Sequence, residues 1–87
     1  MGIFSIKATK RFERKLDKLP LSLKTAILRR VSELETNPYL GRKLRGKLEG
    51  LYSLRVGDYR VLYWIDIDKA VIWLLEVEHR KKIYEPR

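Results

Sequence analysis

Residues 52–65 read YSLRVGDYRVLYWI, and this stretch decides the fold. On both sides of Gly57 and Asp58, every second residue is apolar or aromatic, which is the period of a half-buried β-strand. A Gly-Asp pair suits a two-residue hairpin turn that has glycine first. The stretch therefore predicts two antiparallel strands, at 52–56 and 59–65, joined by a tight turn.

This turn sets the register of the hairpin: Val56 pairs with Tyr59, so Arg55 lies directly opposite Arg60. One face must then be buried, and it carries Tyr52, Leu54, Val56, Tyr59, Val61, Tyr63 and Ile65. The other face, called the arginine face below, carries Ser53, Arg55, Arg60, Leu62 and Trp64. Like charges directly opposite one another are destabilising, so the arginine pair indicates a place where an anion binds.

Two helices are predicted upstream of the hairpin. Residues 3–7 alternate like a short strand, and Thr9 can cap a first helix. Pro20 ends that helix and can begin a second one, which the Asn-Pro pair at 37–38 stops. The apolar stripes of the two helices are Phe12, Leu16 and Leu19, then Leu23, Ile27, Val31 and Leu34. Helices joined by so short a turn form an antiparallel hairpin.

The remaining segments complete a single domain over residues 1–87. Residues 39–51 are expected to be a basic loop, and residues 71–77 read as a last strand. The predicted fold is α+β, in the order β-α-α-β-β-β, with an antiparallel sheet and the helical hairpin packed on one face. The predicted core includes Phe12, Leu16, Ile27, Val31, Leu54, Val61 and Leu75.

Alternation along the last strand adds a third arginine to the arginine face. Glu76, Glu78 and Arg80 share one side, and the opposite side consists of Val71, Trp73, Leu75 and Val77. If the second set is buried, Arg80 joins Arg55 and Arg60. Two interpretations follow: the arginines bind phosphate, or Glu76 and Glu78 neutralise them in surface ion pairs.

The amino-acid composition limits the partners and the kinds of site that can be expected. The chain has 20 Lys and Arg against 11 Asp and Glu, a net charge of +9, which favours a nucleic-acid partner. It has no Cys and one His, which excludes disulfides and thiolate-bound metals, so no metal or cofactor is expected. It shows no apolar run near 18 residues and no signal peptide, so no membrane partner and a cytoplasmic location are expected.

Three stretches resemble a known family: KLRG at 43–46, LYSLRVGDYRVLY at 51–63 and LEVEHRKKIY at 75–84. In these residues the chain is similar to the RelE/ParE superfamily, the toxins of type II toxin–antitoxin modules, and above all to the RelE branch. The length of the chain and the predicted order of its elements also match that family across essentially the whole chain.

The resemblance implies a toxin that cleaves mRNA in the ribosomal A site and so inhibits translation. Its implied partners are the ribosome, mRNA and a RelB-like antitoxin, with which it would form a hetero-oligomer. Two alternatives stay open. One is a ParE-like inhibitor of DNA gyrase on the same fold, and the other is a basic nucleic-acid-binding module without catalytic activity.

The resemblance also implies the site residues. The catalytic positions of the RelE branch match Arg60, Arg80 and Tyr84. Two RNA-binding positions of the family match Arg45 and Arg55, and the basic loop and basic tail add Lys43, Lys81 and Lys82 to the RNA-binding set. One position departs from the family: well-studied members have a lysine two places before Arg55, where this chain has Ser53. That departure keeps the non-catalytic alternative open.

Proton transfer has two candidates. Metal-independent cleavage of RNA uses the 2′-OH as nucleophile and needs a base and an acid, and arginine never deprotonates. Tyr84 follows Arg80, Lys81 and Lys82, whose charges would lower its pKa, or else it packs with Ile83. His79 can serve as acid or base near neutral pH, but strand alternation turns it toward the core, so a structural role is an equal alternative.

Overall fold

A computed structural model of the chain describes residues 3–79. Its elements follow the order predicted from the sequence, with additions in the loop before the hairpin. They are β1 (Ser5–Ala8), α1 (Lys10–Asp17), α2 (Leu21–Ser32), a 3₁₀ turn (Glu33–Glu35), β2 (Arg42–Lys43), a 3₁₀ turn (Gly46–Leu48), β3 (Leu51–Val56), β4 (Tyr59–Asp66) and β5 (Val71–His79). Within this range, no helix is long and apolar enough to cross a membrane.

Helix α1 begins where the sequence predicts. Thr9 is extended (φ −73°, ψ 161°), and its hydroxyl accepts a hydrogen bond from the Phe12 N–H at 3.1 Å. The same hydroxyl donates to the Leu75 carbonyl at 3.1 Å, which ties the start of α1 to β5. Phe12 and Leu16 are buried one turn apart, so α1 packs its apolar stripe on the sheet.

The α+β fold class is confirmed, and the core lies between the helical hairpin and one face of the sheet. Its buried members are Phe12, Leu16, Ile27, Val31, Leu34, Leu54, Val61, Tyr63, Ile65, Ile72, Leu74 and Val77. The sheet has five strands in the order β1-β5-β4-β3-β2. It is mixed rather than wholly antiparallel, because β1 pairs parallel with β5. Side-chain alternation identifies a strand but carries no information on its direction or its neighbour.

Strand β2 lies inside the segment expected to be a loop. It pairs antiparallel with β3 and places Arg42 opposite Ser53 and Lys43 opposite Tyr52. Two residues are too short to show a period, so no alternation in the sequence could indicate this strand.

Strand β5 corrects one predicted core position. The register with β4 shifts between Leu62, which pairs with Glu76, and Tyr63, which pairs with Leu74. Leu75 therefore occupies a β-bulge, and a bulge reverses which side chains face the core on its two sides. As a result Ile72 and Leu74 are buried, whereas Leu75, predicted to lie in the core, is only partly buried. Val71 and Trp73, predicted on the buried face, are also only partly buried.

Candidate functional site

The tight hairpin places two arginines opposite each other. Strands β3 and β4 pair Val56 with Tyr59 and Arg55 with Arg60, the register predicted from the sequence. Gly57 has a φ of +61°, which a turn with glycine first requires. Because paired residues share a face, the two guanidinium groups leave the sheet on the same side.

The two arginines differ in their surroundings. Arg55 is exposed, and its Nε donates to the Gly57 carbonyl at 3.2 Å, which holds the side chain beside the turn. Arg60 is partly buried and pairs on its other side with Glu78 of β5. Arg60 therefore has a paired strand on each side, whereas Arg55 lies beside the turn, where β2 no longer pairs with β3.

The carboxylates beside Arg60 have partners on α1. Glu76 forms an ion pair with Arg11, and Glu78 forms one with Lys15. Both carboxylates are 19% exposed, so helix α1 closes over this part of β5. Each carboxylate lies beside a lysine or arginine of α1. These helix cations therefore partly neutralise the negative charge next to Arg60.

The short strand β2 adds an arginine that the sequence alone did not single out. Arg42 pairs with Ser53, and Ser53 pairs with Leu62 of β4, so Arg42 belongs to the arginine face. Lys43, an RNA-binding candidate, pairs with Tyr52 and thus belongs to the opposite, helix-covered side of the register. Both cations are exposed. Only the strand pairing distinguishes them, since they are adjacent in the sequence.

Ser53, the position at which the sequence departs from the family resemblance, is buried. The residue is 3% exposed, and its hydroxyl has no hydrogen-bond partner within residues 3–79. By register it belongs to the arginine face, between Arg42 and Leu62. An unpaired charge is costly to bury. A long cationic side chain at this position would therefore have to extend out of the buried environment of Ser53 to reach solvent or an anion.

Arg45 and His79 are the remaining predicted site residues within the described range. Arg45 is exposed and extended (φ −127°, ψ 176°) directly before the 3₁₀ turn at Gly46–Leu48. His79 pairs with Tyr59, and the two rings meet edge to face with centroids 5.6 Å apart. His79 borders a groove of about 290 Å³ together with Lys15 and Lys18 of α1. It therefore faces the helix side, as strand alternation predicts, and not the side of Arg60.

Four predicted site residues lie outside the described residues: Arg80, Lys81, Lys82 and Tyr84. Among the aromatic residues, Trp64 is on the arginine face and 42% exposed, as its register predicts. Tyr63 is fully buried, and Tyr52 and Tyr59 pack against the core. The described part of the site is thus a sheet face with Arg42, Arg55, Arg60 and one exposed tryptophan.

Several known proteins resemble this chain in sequence, and a solved structure has the same fold. The chain is 35% identical to Toxin RelG of Mycobacterium tuberculosis over 83 residues, which cover 93% of this chain and 95% of that protein. It is 40% identical to Toxin RelE of the same organism over 73 residues, or 82% and 75% of the two chains. A chain of the RelBE2 toxin–antitoxin complex from Mycobacterium tuberculosis superposes with a TM-score of 0.84 at 34% identity, covering 92% of this chain and 94% of that one.

A family model agrees with these relatives. The model described as "ParE toxin of type II toxin-antitoxin system, parDE" matches residues 6–84. That range contains both helices and the arginine hairpin, together with nearly all of the sheet. The chain therefore belongs to the RelE/ParE family of toxins of type II toxin–antitoxin systems.

Proposed function

We propose that this toxin is an endoribonuclease that cleaves mRNA in the ribosomal A site and thereby inhibits translation. The observation that carries the proposal is the pairing of Arg55 with Arg60 on one sheet face. Two directly opposed guanidinium groups repel each other unless an anion lies between them. A phosphodiester is an anion that guanidinium binds well, through two parallel hydrogen bonds.

The chemistry proposed for this face needs no metal ion. The 2′-OH of one nucleotide gives its proton to a base and attacks the adjacent phosphorus, while negative charge develops on the phosphate oxygens. The P–O5′ bond then breaks, the departing 5′ oxygen takes a proton from an acid, and a 2′,3′-cyclic phosphate remains. Arg60 and the predicted Arg80 would stabilise that charge, and Arg55 would hold the RNA on this face. Arg45 and Lys43, which lie in the preceding basic segment, would bind RNA that extends beyond the face. Lys81 and Lys82 complete the proposed RNA-binding set.

Proton transfer is proposed for Tyr84, with His79 as the alternative. The ring of His79 contacts Tyr59 and borders the groove on the helix side. A general acid or base must come within hydrogen-bond reach of the reacting atoms. His79 would therefore have to serve substrate that reaches the helix side of the sheet.

A RelB-like antitoxin is the proposed protein partner. The RelBE2 relative has the same fold over nearly all of its length and was solved as a toxin–antitoxin complex. An acidic segment of the antitoxin would approach Arg55, Arg60 or Arg80, where it would compete with RNA for the same guanidinium groups. The toxin and antitoxin would then form an inactive hetero-oligomer.

Inhibition of DNA gyrase is the second candidate, and the ParE description of the matching family model favours it. Primer extension on translated mRNA after brief expression, beside a gyrase supercoiling assay, separates the candidates. Cuts at codon positions support the nuclease. Loss of supercoiling without such cuts supports the gyrase inhibitor, and neither effect supports a non-catalytic binding module.

A further inference from the structure

A basic groove lies beside the arginine face, between helix α2 and the turn of the β3–β4 hairpin. Its volume is about 290 Å³. Arg29 and Arg30, in the last turn of α2, line one side, and Arg55 with the backbone at Gly57 lines the other. Three guanidinium groups from two distant segments of the chain thus border one groove.

The positive charge of this groove is only partly compensated. Glu33 is its single acidic lining residue within the described range, and it pairs with Arg30 at 2.8 Å. Neither Arg29 nor Arg55 makes an ion pair with any residue in the range 3–79. Two positive charges therefore border the groove without a negative partner from this part of the chain.

The dipole of helix α2 accounts for the position of only two of the three arginines. Cations in the last turn of a helix are favoured by its dipole, which accounts for Arg29 and Arg30. Arg55 belongs to another element, and its Nε hydrogen bond to the Gly57 carbonyl holds it at the hairpin tip. Only its Nε–H is used there, so its terminal N–H groups stay available to a ligand.

We propose that this groove binds the phosphodiester backbone of RNA, at a subsite separate from Arg60. The proposal rests on the proposed function in taking RNA as the ligand. Arg55 borders both the groove and the arginine face, so a strand bound at Arg60 would continue around the hairpin tip at Gly57 toward Arg29. Arg29 and Arg30 then act as binding residues for the RNA that flanks the cleavage site.

The lining of the groove favours RNA over an acidic peptide. Its apolar part consists of Ala26 and Val56, and Val56 is already packed against the core. A peptide gains most of its affinity from apolar or aromatic anchors that fill pockets. A phosphate backbone needs only cations and hydrogen-bond donors, and these are what the groove offers.

Salt-dependent binding tests the proposal without any cleavage. The probe is a 2′-O-methyl oligoribonucleotide, which has no attacking hydroxyl, and it is titrated with the full-length toxin at several salt concentrations. For single strands, the slope of log K against log salt changes by about 0.7 for each phosphate that the protein no longer neutralises. We expect Arg29→Gln to reduce the slope by about 0.7 and the Arg29→Gln/Arg30→Gln pair by about 1.4.

The matched controls are Lys69→Gln and Arg14→Gln/Lys69→Gln. They remove the same charge from exposed positions in the β4–β5 turn and in α1, which do not line this groove. The proposal is overturned if the arginine variants, shown to be folded by thermal melts, bind RNA with the slope of these controls. It is also overturned if only binding of a polyglutamate peptide weakens.

Different results would reject the groove proposal and the proposed nuclease activity. If wild-type toxin does not cut mRNA on ribosomes but the arginine variants still show the expected drop in slope, the proposed function is wrong and the groove stands. If the wild type cuts mRNA and the slopes are unchanged, the groove is wrong and the nuclease stands.

Discussion

Tyr63 and Gly41, which are 22 residues apart, meet through a hydrogen bond: the Tyr63 hydroxyl accepts from the Gly41 N–H at 2.9 Å. The same hydroxyl donates to the Pro38 carbonyl at 2.8 Å. Residues 38–41 are thereby held against the sheet immediately before β2 begins at Arg42. This partly buried contact precedes the strand that adds Arg42 to the arginine face, so it links the core to the candidate site.

Gly41→Ala should destabilise the fold. A Cβ at this position would lie 2.8 Å from both the Ser53 carbonyl oxygen and the Tyr63 hydroxyl. Backbone on one side and a buried ring on the other leave little room to relax, so we expect a decrease of about 1–3 kcal/mol in the free energy of unfolding. Urea denaturation measures it. Ser22→Ala, at an exposed position of α2, is the control and should stay within about 0.5 kcal/mol of the parent.

Tyr63→Phe should also destabilise the fold, by a different route. The ring would still fill the core, but the Gly41 N–H and the Pro38 carbonyl would each be left without this partner. Leaving a buried backbone group unpaired costs about 1–3 kcal/mol, and these two groups are partly buried, so we expect a loss toward the lower end of that range. Amide hydrogen exchange should show faster exchange at Gly41 than in the parent. Unchanged exchange and unchanged stability would show that water replaces the hydroxyl without cost.

Stability should decline at high pH because of Tyr63. Burial raises the pKa of this phenol above its ordinary value of 10.0, although the Gly41 hydrogen bond lowers it in part. The folded state therefore favours the neutral form. Its contribution is complete below about pH 10 and is lost as the pH rises through the folded-state pKa. The difference in unfolding free energy between the parent and Tyr63→Phe should stay constant up to about pH 9 and shrink above about pH 10.

Arg60→Ala should abolish most cleavage of mRNA on programmed ribosomes. Removing a donor that meets charge developing in the transition state costs about 2.7–4 kcal/mol, or about a hundred- to a thousand-fold in rate. Single-turnover cleavage at fixed salt is the measurement, with thermal melts of each variant. Lys69→Ala, at an exposed position of the β4–β5 turn, is the control for the removed charge. A rate for Arg60→Ala within about threefold of that control would contradict a catalytic role.

Arg80→Ala should show a similar decrease in the same assay. The prediction depends on the sequence resemblance, and on the alternation that places Arg80 two residues after Glu78, the partner of Arg60. We expect cleavage to be about a hundred- to a thousand-fold slower, as is typical when a transition-state donor is removed. Cleavage within about threefold of the parent would remove Arg80 from the catalytic set. The phosphate site would then consist of the arginines of the β3–β4 hairpin.

Several features follow from the sequence because they are local. The Gly-Asp turn and the alternation around it determine the pairing of Arg55 with Arg60, since a tight turn leaves one register. Thr9 and the stripe with Phe12 determine where α1 begins and which side it buries. The family resemblance rests on the same hairpin and was confirmed by the relatives.

Other features depend on contacts between residues that are far apart in the chain. The parallel pairing of β1, the bulge at Leu75 and the short strand that places Arg42 beside Ser53 arise only when the sheet assembles. The same is true of the approach of Arg29 to Arg55 across the hairpin tip. A period of two identifies a strand and its faces, but packing against the helices decides the neighbour, the direction and the position of an irregularity. The arginine pair could therefore be predicted from the sequence, whereas the cations that surround it were decided by the tertiary structure.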